Sequence, residues 1–123
     1  MRFLIHGPKT TPAVAVALVR HGHTVVPAAD VQVDDESGPD EVLEAARVAQ
    51  LEVLTTDDGL AESPFGMPTD FARTIVYLQL EGGDVEQDDA VDRLFARYKR
   101  LTPGRVYTVT ETRVKIRQLP GMK

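Results

Sequence analysis

Leu51-Glu52-Val53-Leu54-Thr55-Thr56-Asp57-Asp58-Gly59-Leu60 is the stretch on which the fold turns. An apolar strand, Glu52–Thr55, runs directly into two hydroxyls and two adjacent carboxylates. In an open α/β sheet the carboxyl ends of the strands are where ligands and metals gather. Neighbouring carboxylates among small residues suit a hard divalent cation better than a core. The strand that should lie beside this one, Arg2–Ile5, ends in His6-Gly7-Pro8 and brings no acid to the same edge.

Outward from that stretch, strands and helices alternate. Upstream, Thr11 is placed to cap a helix opened by Pro12, whose missing N–H is harmless at the first helical position. Val14, Ala17, Leu18 and His21 follow at helical spacing, Gly22 closes the helix, and Thr24–Val26 makes the second strand. The segment 28–37 is acidic and irregular. Ser37-Gly38-Pro39-Asp40-Glu41 starts a second helix with Val42, Ala45, Ala46 and Ala49 on one face. Downstream, Asp57 to Thr69 reads as a long loop punctuated by Pro64, Gly66 and Pro68.

Arg73–Leu80 reads as the fourth strand, and Gly82-Gly83 as a turn. A third helix starts at Asp84 or Gln87 and carries the stripe Val91, Leu94, Phe95, Tyr98. Pro103-Gly104 stops it, and 106–109 with 114–116 alternate as a hairpin about Glu111-Thr112. The order predicts one α/β domain over residues 1–123, three-layered, with a mainly parallel sheet and a C-terminal β-hairpin.

Bulk composition narrows the function classes. With 123 residues and no cysteine, disulfides and thiolate metal sites are excluded, and a reducing, cytoplasmic location is expected. No apolar run approaches a membrane span. The net charge of −5 is unevenly spread. Residues 1–92 carry five basic and eighteen acidic side chains, whereas 93–123 carry nine basic residues and Glu111 alone. Such asymmetry reads either as a phosphate-binding surface or as a solvated helix face with an edge hairpin protected by charge. No P-loop, nucleophile elbow or zinc-binding helix motif is present.

The order of elements and several local strings resemble the small bacterial PIN-like proteins, a branch of the PIN-domain superfamily. The strings are Gly22-His23-Thr24-Val25-Val26, Asp40-Glu41-Val42-Leu43-Glu44-Ala45-Ala46, Leu54-Thr55-Thr56-Asp57-Asp58, and the closing Gly104-Arg105-Val106 to Arg113-Val114-Lys115-Ile116. The resemblance implies carboxylates meeting at the C-terminal edge of the sheet, holding Mg²⁺ or Mn²⁺ and activating water for RNA hydrolysis. It also implies a toxin-type ribonuclease with an antitoxin-like protein partner. The family's acid at the second helix start falls on Asp40, with Glu41 beside it. The acid after the Thr-containing strand end falls on Asp58, with Asp57 an extra neighbour. The first-strand acid is replaced by His6, and a further expected acid is Leu60. The expectation is therefore a divalent-metal-dependent ribonuclease that is partly degenerate. The alternative is a non-catalytic PIN-like module for dimerisation or for binding a protein partner.

Each candidate residue carries a second, plainer role. Asp40 is either a metal ligand or a carboxylate favoured at a helix N-terminus. Asp58 is a ligand or a turn residue before Gly59. His6 is a Mn²⁺ or Zn²⁺ ligand, a general base, or a filler of the space left by a lost acid. Thr55 and Thr56 support a carboxylate or phosphate, or are simply strand residues. Arg97, Arg100 and Arg105 would contact RNA phosphates if they lie on the same side as the acids. In the non-catalytic reading, exposed Tyr and Arg of the last helix and hairpin would anchor an interface, including that of a homodimer.

Overall fold

The structure is a computed structural model that describes residues 1–66 and 70–120. Strands β1 (Arg2–His6), β2 (Thr24–Val26), β3 (Glu52–Thr55), β4 (Ile75–Leu78), β5 (Arg105–Val109) and β6 (Val114–Gln118) form one sheet in the order β2-β1-β3-β4-β5-β6. All neighbours pair in parallel except β5 and β6, which form the antiparallel hairpin expected from the sequence. Helices α1 (Pro12–Arg20), α2 (Pro39–Ala49), α3 (Asp58–Gly66) and α4 (Asp84–Arg97) provide the crossovers. A short 3₁₀ turn, Ala28–Val31, interrupts the acidic segment before α2.

Alternation along each strand splits the apolar side chains between two faces. Phe3, Leu54, Val76, Leu78, Tyr107 and Val109 pack with Val14, Ala17 and Leu18 of α1 and Ala90, Val91, Leu94 and Phe95 of α4. Leu4, Val53, Ile75, Tyr77 and Val106 pack with Val42, Leu43 and Ala46 of α2 and Leu60 and Ala61 of α3. Helices thus cover both faces of a mainly parallel sheet, an arrangement compatible with a three-layer α/β/α fold. Among the described residues no helix is long and apolar enough to cross a membrane.

Gln87, 1% exposed, fastens α4 to the loop after β1. Its Oε1 accepts the Thr11 backbone N–H at 3.0 Å and the Thr11 hydroxyl at 3.3 Å, while its Nε2 donates to the Lys9 carbonyl at 2.7 Å. Thr11 therefore occupies the N-cap position of α1 without capping it: its hydroxyl is spent on Gln87.

Two expectations change. The stretch after Asp57 is a helix, not a loop, through Gly66; the remainder of the expected loop, including Pro68 and Thr69, lies outside the described residues. Asp57 starts the helix, its Oδ1 accepting the Gly59 N–H at 2.9 Å and its carbonyl the Ala61 N–H at 3.1 Å. Leu60, Ala61 and Pro64 are buried against the sheet. Pro64 reads as a breaker because it cannot donate to the carbonyl four residues back, but here its ring is part of the buried surface. The fourth strand is also shorter than predicted, Ile75–Leu78, since Arg73 turns aside to pair with Glu52.

Candidate functional site

The strand order reverses direction at β1, whose neighbours are β2 on one side and β3 on the other. In such sheets the crevice at the carboxyl ends of the strands flanking this switch point is the usual ligand position. Here β1 delivers His6 and Gly7, and β3 delivers Thr55, Thr56, Asp57 and Asp58. The register pairs His6 with Thr55, Thr55 with Tyr77, Tyr77 with Thr108 and Thr108 with Lys115. Laterally paired residues point to the same face, so five polar side chains form one row across the end of the sheet. The row two residues earlier is Leu4, Val53, Ile75, Val106 and Arg117, apolar until its last member. Polarity thus appears abruptly at the C-terminal edge, on the face covered by α2 and α3.

His6 is 8% exposed, and its Nε2 lies 2.9 Å from the Asp34 carbonyl oxygen. A carbonyl only accepts, so in the neutral ring Nε2 carries the proton and Nδ1 keeps a lone pair. Nδ1 is buried and has no hydrogen-bond partner, and the same holds for Thr56 Oγ1. Gly7, next in the chain, has φ of +143°. A Cβ at this position would sit 2.8 Å from Thr56 Oγ1, 2.9 Å from Thr56 N and 3.1 Å from Thr55 Oγ1. Glycine is what lets β1 and β3 close together where the chain leaves the sheet.

The other candidates are drawn into local duties to different degrees. Thr55 is buried, and its hydroxyl accepts the Asp57 N–H at 2.9 Å. Asp57 caps α3 and so is a helix-start residue rather than a free ligand. Asp58 is exposed in the first turn of α3, and its charge acts on the Tyr77 phenol. Burial, followed by the Asp58 charge, pushes the Tyr77 hydroxyl above its ordinary range. Asp40 lies in the first turn of α2 and accepts a long bond, 3.4 Å, from Ser63 of α3. Glu41 reaches back to the Gly38 N–H at 3.4 Å and closes the start of α2, a capping role.

The basic candidates are elsewhere. Helix α4 leaves the C-terminal end of β4 and runs back along the sheet, so Arg97, its last residue, lies at the N-terminal edge. Arg105 opens β5 at that same edge, with Arg100 in the connection between them. The condition attached to a phosphate role beside the acids, a shared side, is therefore not met: Asp40, Asp57, Asp58 and His6 belong to the opposite edge.

Three members of the polar edge, Tyr77, Thr108 and Lys115, are not marked by the sequence. Tyr77 is hidden inside an apolar strand string, and Lys115 looks like an ordinary hairpin charge. Only the cross-strand register aligns them with His6 and Thr55. Comparison of the chain with family models, with curated proteins and with solved structures gives no match in any of the three.

Proposed function

We propose that the chain is a PIN-like domain acting as a divalent-metal-dependent ribonuclease of the toxin type, with a reduced acidic set at the C-terminal edge of its sheet. One observation carries this reading: the polar row ending the sheet at its switch point, with the exposed Asp58 carboxylate following β3 at the same edge. Asp58 and Asp40, at the starts of two helices that pack together, would be the carboxylates for Mg²⁺ or Mn²⁺. Among the described residues no three His, Asp or Glu side chains come close enough to enclose an ion. The donor set therefore suits the mode in which one or two carboxylates hold the ion and waters and substrate phosphate oxygens complete its shell. When bound, such an ion supplies charge neutralisation at the phosphate and a more acidic water. The His6 Nδ1 lone pair would be the proton acceptor of the site.

A second reading, a non-catalytic module that binds a protein partner or a second copy, is favoured by the structural use of Asp57 and Glu41 as helix caps. Calorimetric titration of Mn²⁺, alone and with a phosphorothioate RNA, separates the two. Saturable binding lost in Asp58→Asn supports the nuclease and justifies a search for its RNA and its antitoxin-like partner. Absence of binding at millimolar Mn²⁺ with and without RNA overturns it in favour of the module.

A further inference from the structure

At the N-terminal edge of the sheet, opposite the acids, a cleft of about 640 Å³ is lined by His21, His23, Asp92, Phe95, Ala96 and Lys99. It adjoins a hollow lined by Met1, His23, Lys99, Arg100 and Leu101, sharing His23 and Lys99 with it. Its floor is aromatic. The His23 ring lies 4.5 Å from that of Phe95, centre to centre, and the His21 ring 5.2 Å from it, both tilted by 34°. Phe3 meets His23 edge-on at 5.6 Å. Burial, and then the positive N-terminus, push the His23 pKa below its ordinary value.

The rim is cationic. Residues 93–110 contain five basic side chains and no acid, in a protein whose net charge is −5. Among the described residues, Arg97, Lys99, Arg100 and Arg105 make no ion pair. The acid in the cleft is engaged: Asp92 takes Arg20 at 2.6 Å and His21 at 2.7 Å, and Arg20 is shared with Asp88 at 2.8 Å. Those bonds, Arg20 first, hold the Asp92 carboxyl below the usual range. Among the described residues, Lys99 and, in the adjoining hollow, Arg100 are left without an acid partner beside the half-buried His23 ring, which lies over the buried Phe95.

We propose that this cleft binds a nucleoside phosphate, its base against the His23 ring and its phosphate against Lys99 and Arg100. Aromatic side chains, histidine included, stack bases, and free cations beside them fix the phosphate. The volume lies within the range of small-ligand sites. A free nucleotide and the phosphorylated 5′ end of an RNA strand present the same chemistry. The cleft stands apart from the carboxylate site at the other edge and does not depend on it.

The histidine ring protons report binding directly by NMR, with His6 at the far edge as internal control. AMP and UMP are the probes, set against adenosine and inorganic phosphate. The expected result is saturable movement of the His21 and His23 signals with His6 unmoved, weaker with adenosine or phosphate alone. Lys99→Ala/Arg100→Ala, exposed and without effect on Tm, should weaken binding at least about tenfold, and added salt should weaken the parent protein's binding. Asp58→Asn should leave it unchanged. A 5′-phosphorylated oligoadenylate binding more tightly than AMP identifies an RNA end as the ligand; equal affinity identifies the free nucleotide. No movement at ~10 mM of either nucleotide, a concentration that detects even millimolar dissociation constants, overturns the proposal. Undiminished affinity in the double variant overturns it as well.

Discussion

His6 Nε2 donates to the carbonyl oxygen of Asp34, 28 residues further along the chain, at 2.9 Å. The bond ties the end of β1 to the segment leading into α2 and fixes which ring nitrogen bears the proton. Metal-bound and catalytic histidines use the same device, an outer N–H bonded to a carbonyl that leaves the inner nitrogen free.

That relationship separates the structural from the chemical role of His6. Glutamine can reproduce a donor near the Nε2 position but has no lone pair where Nδ1 sits. His6→Gln should stay within about 1 kcal/mol of the parent in stability, while His6→Ala should lose about 2 kcal/mol by leaving a cavity and an unpaired carbonyl. Urea melts measure both. If His6 only fills space, His6→Gln will also keep any Mn²⁺-dependent RNA cleavage; the proposed role as proton acceptor requires that activity to fall steeply.

Tyr77 gives the clearest pH dependence. Its phenol is pushed up by burial and by the Asp58 charge, so on alkaline titration the unfolded chain releases this proton before the folded one does. A group whose folded pKa is raised stabilises fully below its unfolded value and loses that contribution as pH rises through the folded value. Stability should therefore fall above about pH 10, and Tyr77→Phe should flatten that part of the curve. Equal alkaline slopes in the two proteins would show that Tyr77 is not the titrating group.

Gly7 tolerates no side chain. With φ at +143° and an added methyl carbon falling 2.9 Å from a backbone nitrogen, Gly7→Ala forces β1 and β3 apart. The expected loss, read from urea melts, is about 2–4 kcal/mol. Because the obstruction includes the Thr56 backbone, adding Thr56→Ala should restore only part of it. Full restoration by the second change would place the clash in the hydroxyl alone.

At the other end of β3, Glu52 is 3% exposed and pairs with Arg73 at 3.1 Å. Arg73→Ala strands a buried carboxylate and should cost about 2–3 kcal/mol, less than a wholly buried pair because the arginine is partly solvated. Replacing both residues, Glu52→Leu with Arg73→Ala, should recover most of that loss. Thermal denaturation of the single and double variants reads the difference; a double variant no more stable than Arg73→Ala would mean that the buried charge is not the source of the cost.

Element types were legible in the chain because their signals are local. Alternation set the strands, the stripe Val91, Leu94, Phe95 set the last helix, and Gly22 set the stop of the first; the last helix ends at Arg97, well before the expected stop at Pro103-Gly104. Asp58 could be placed at a strand end, since the change from apolar to acidic happens within three residues. Helix α3 was not legible: Gly59 and Pro64 signal a loop, and only packing against the sheet, with Asp57 as cap, makes a helix of the segment. Whether residues far apart in the chain share an edge was settled by tertiary contacts alone. Lateral register aligned His6, Thr55, Tyr77, Thr108 and Lys115, which no local spacing connects, because neighbours in a parallel sheet are separated by whole crossover helices. The directions of α4 and β5 likewise placed Arg97, Arg100 and Arg105 at the edge away from the acids, Arg100 beside His23. Backbone and side-chain periodicity act over a few residues; the meeting of charges depends on which strand lies next to which.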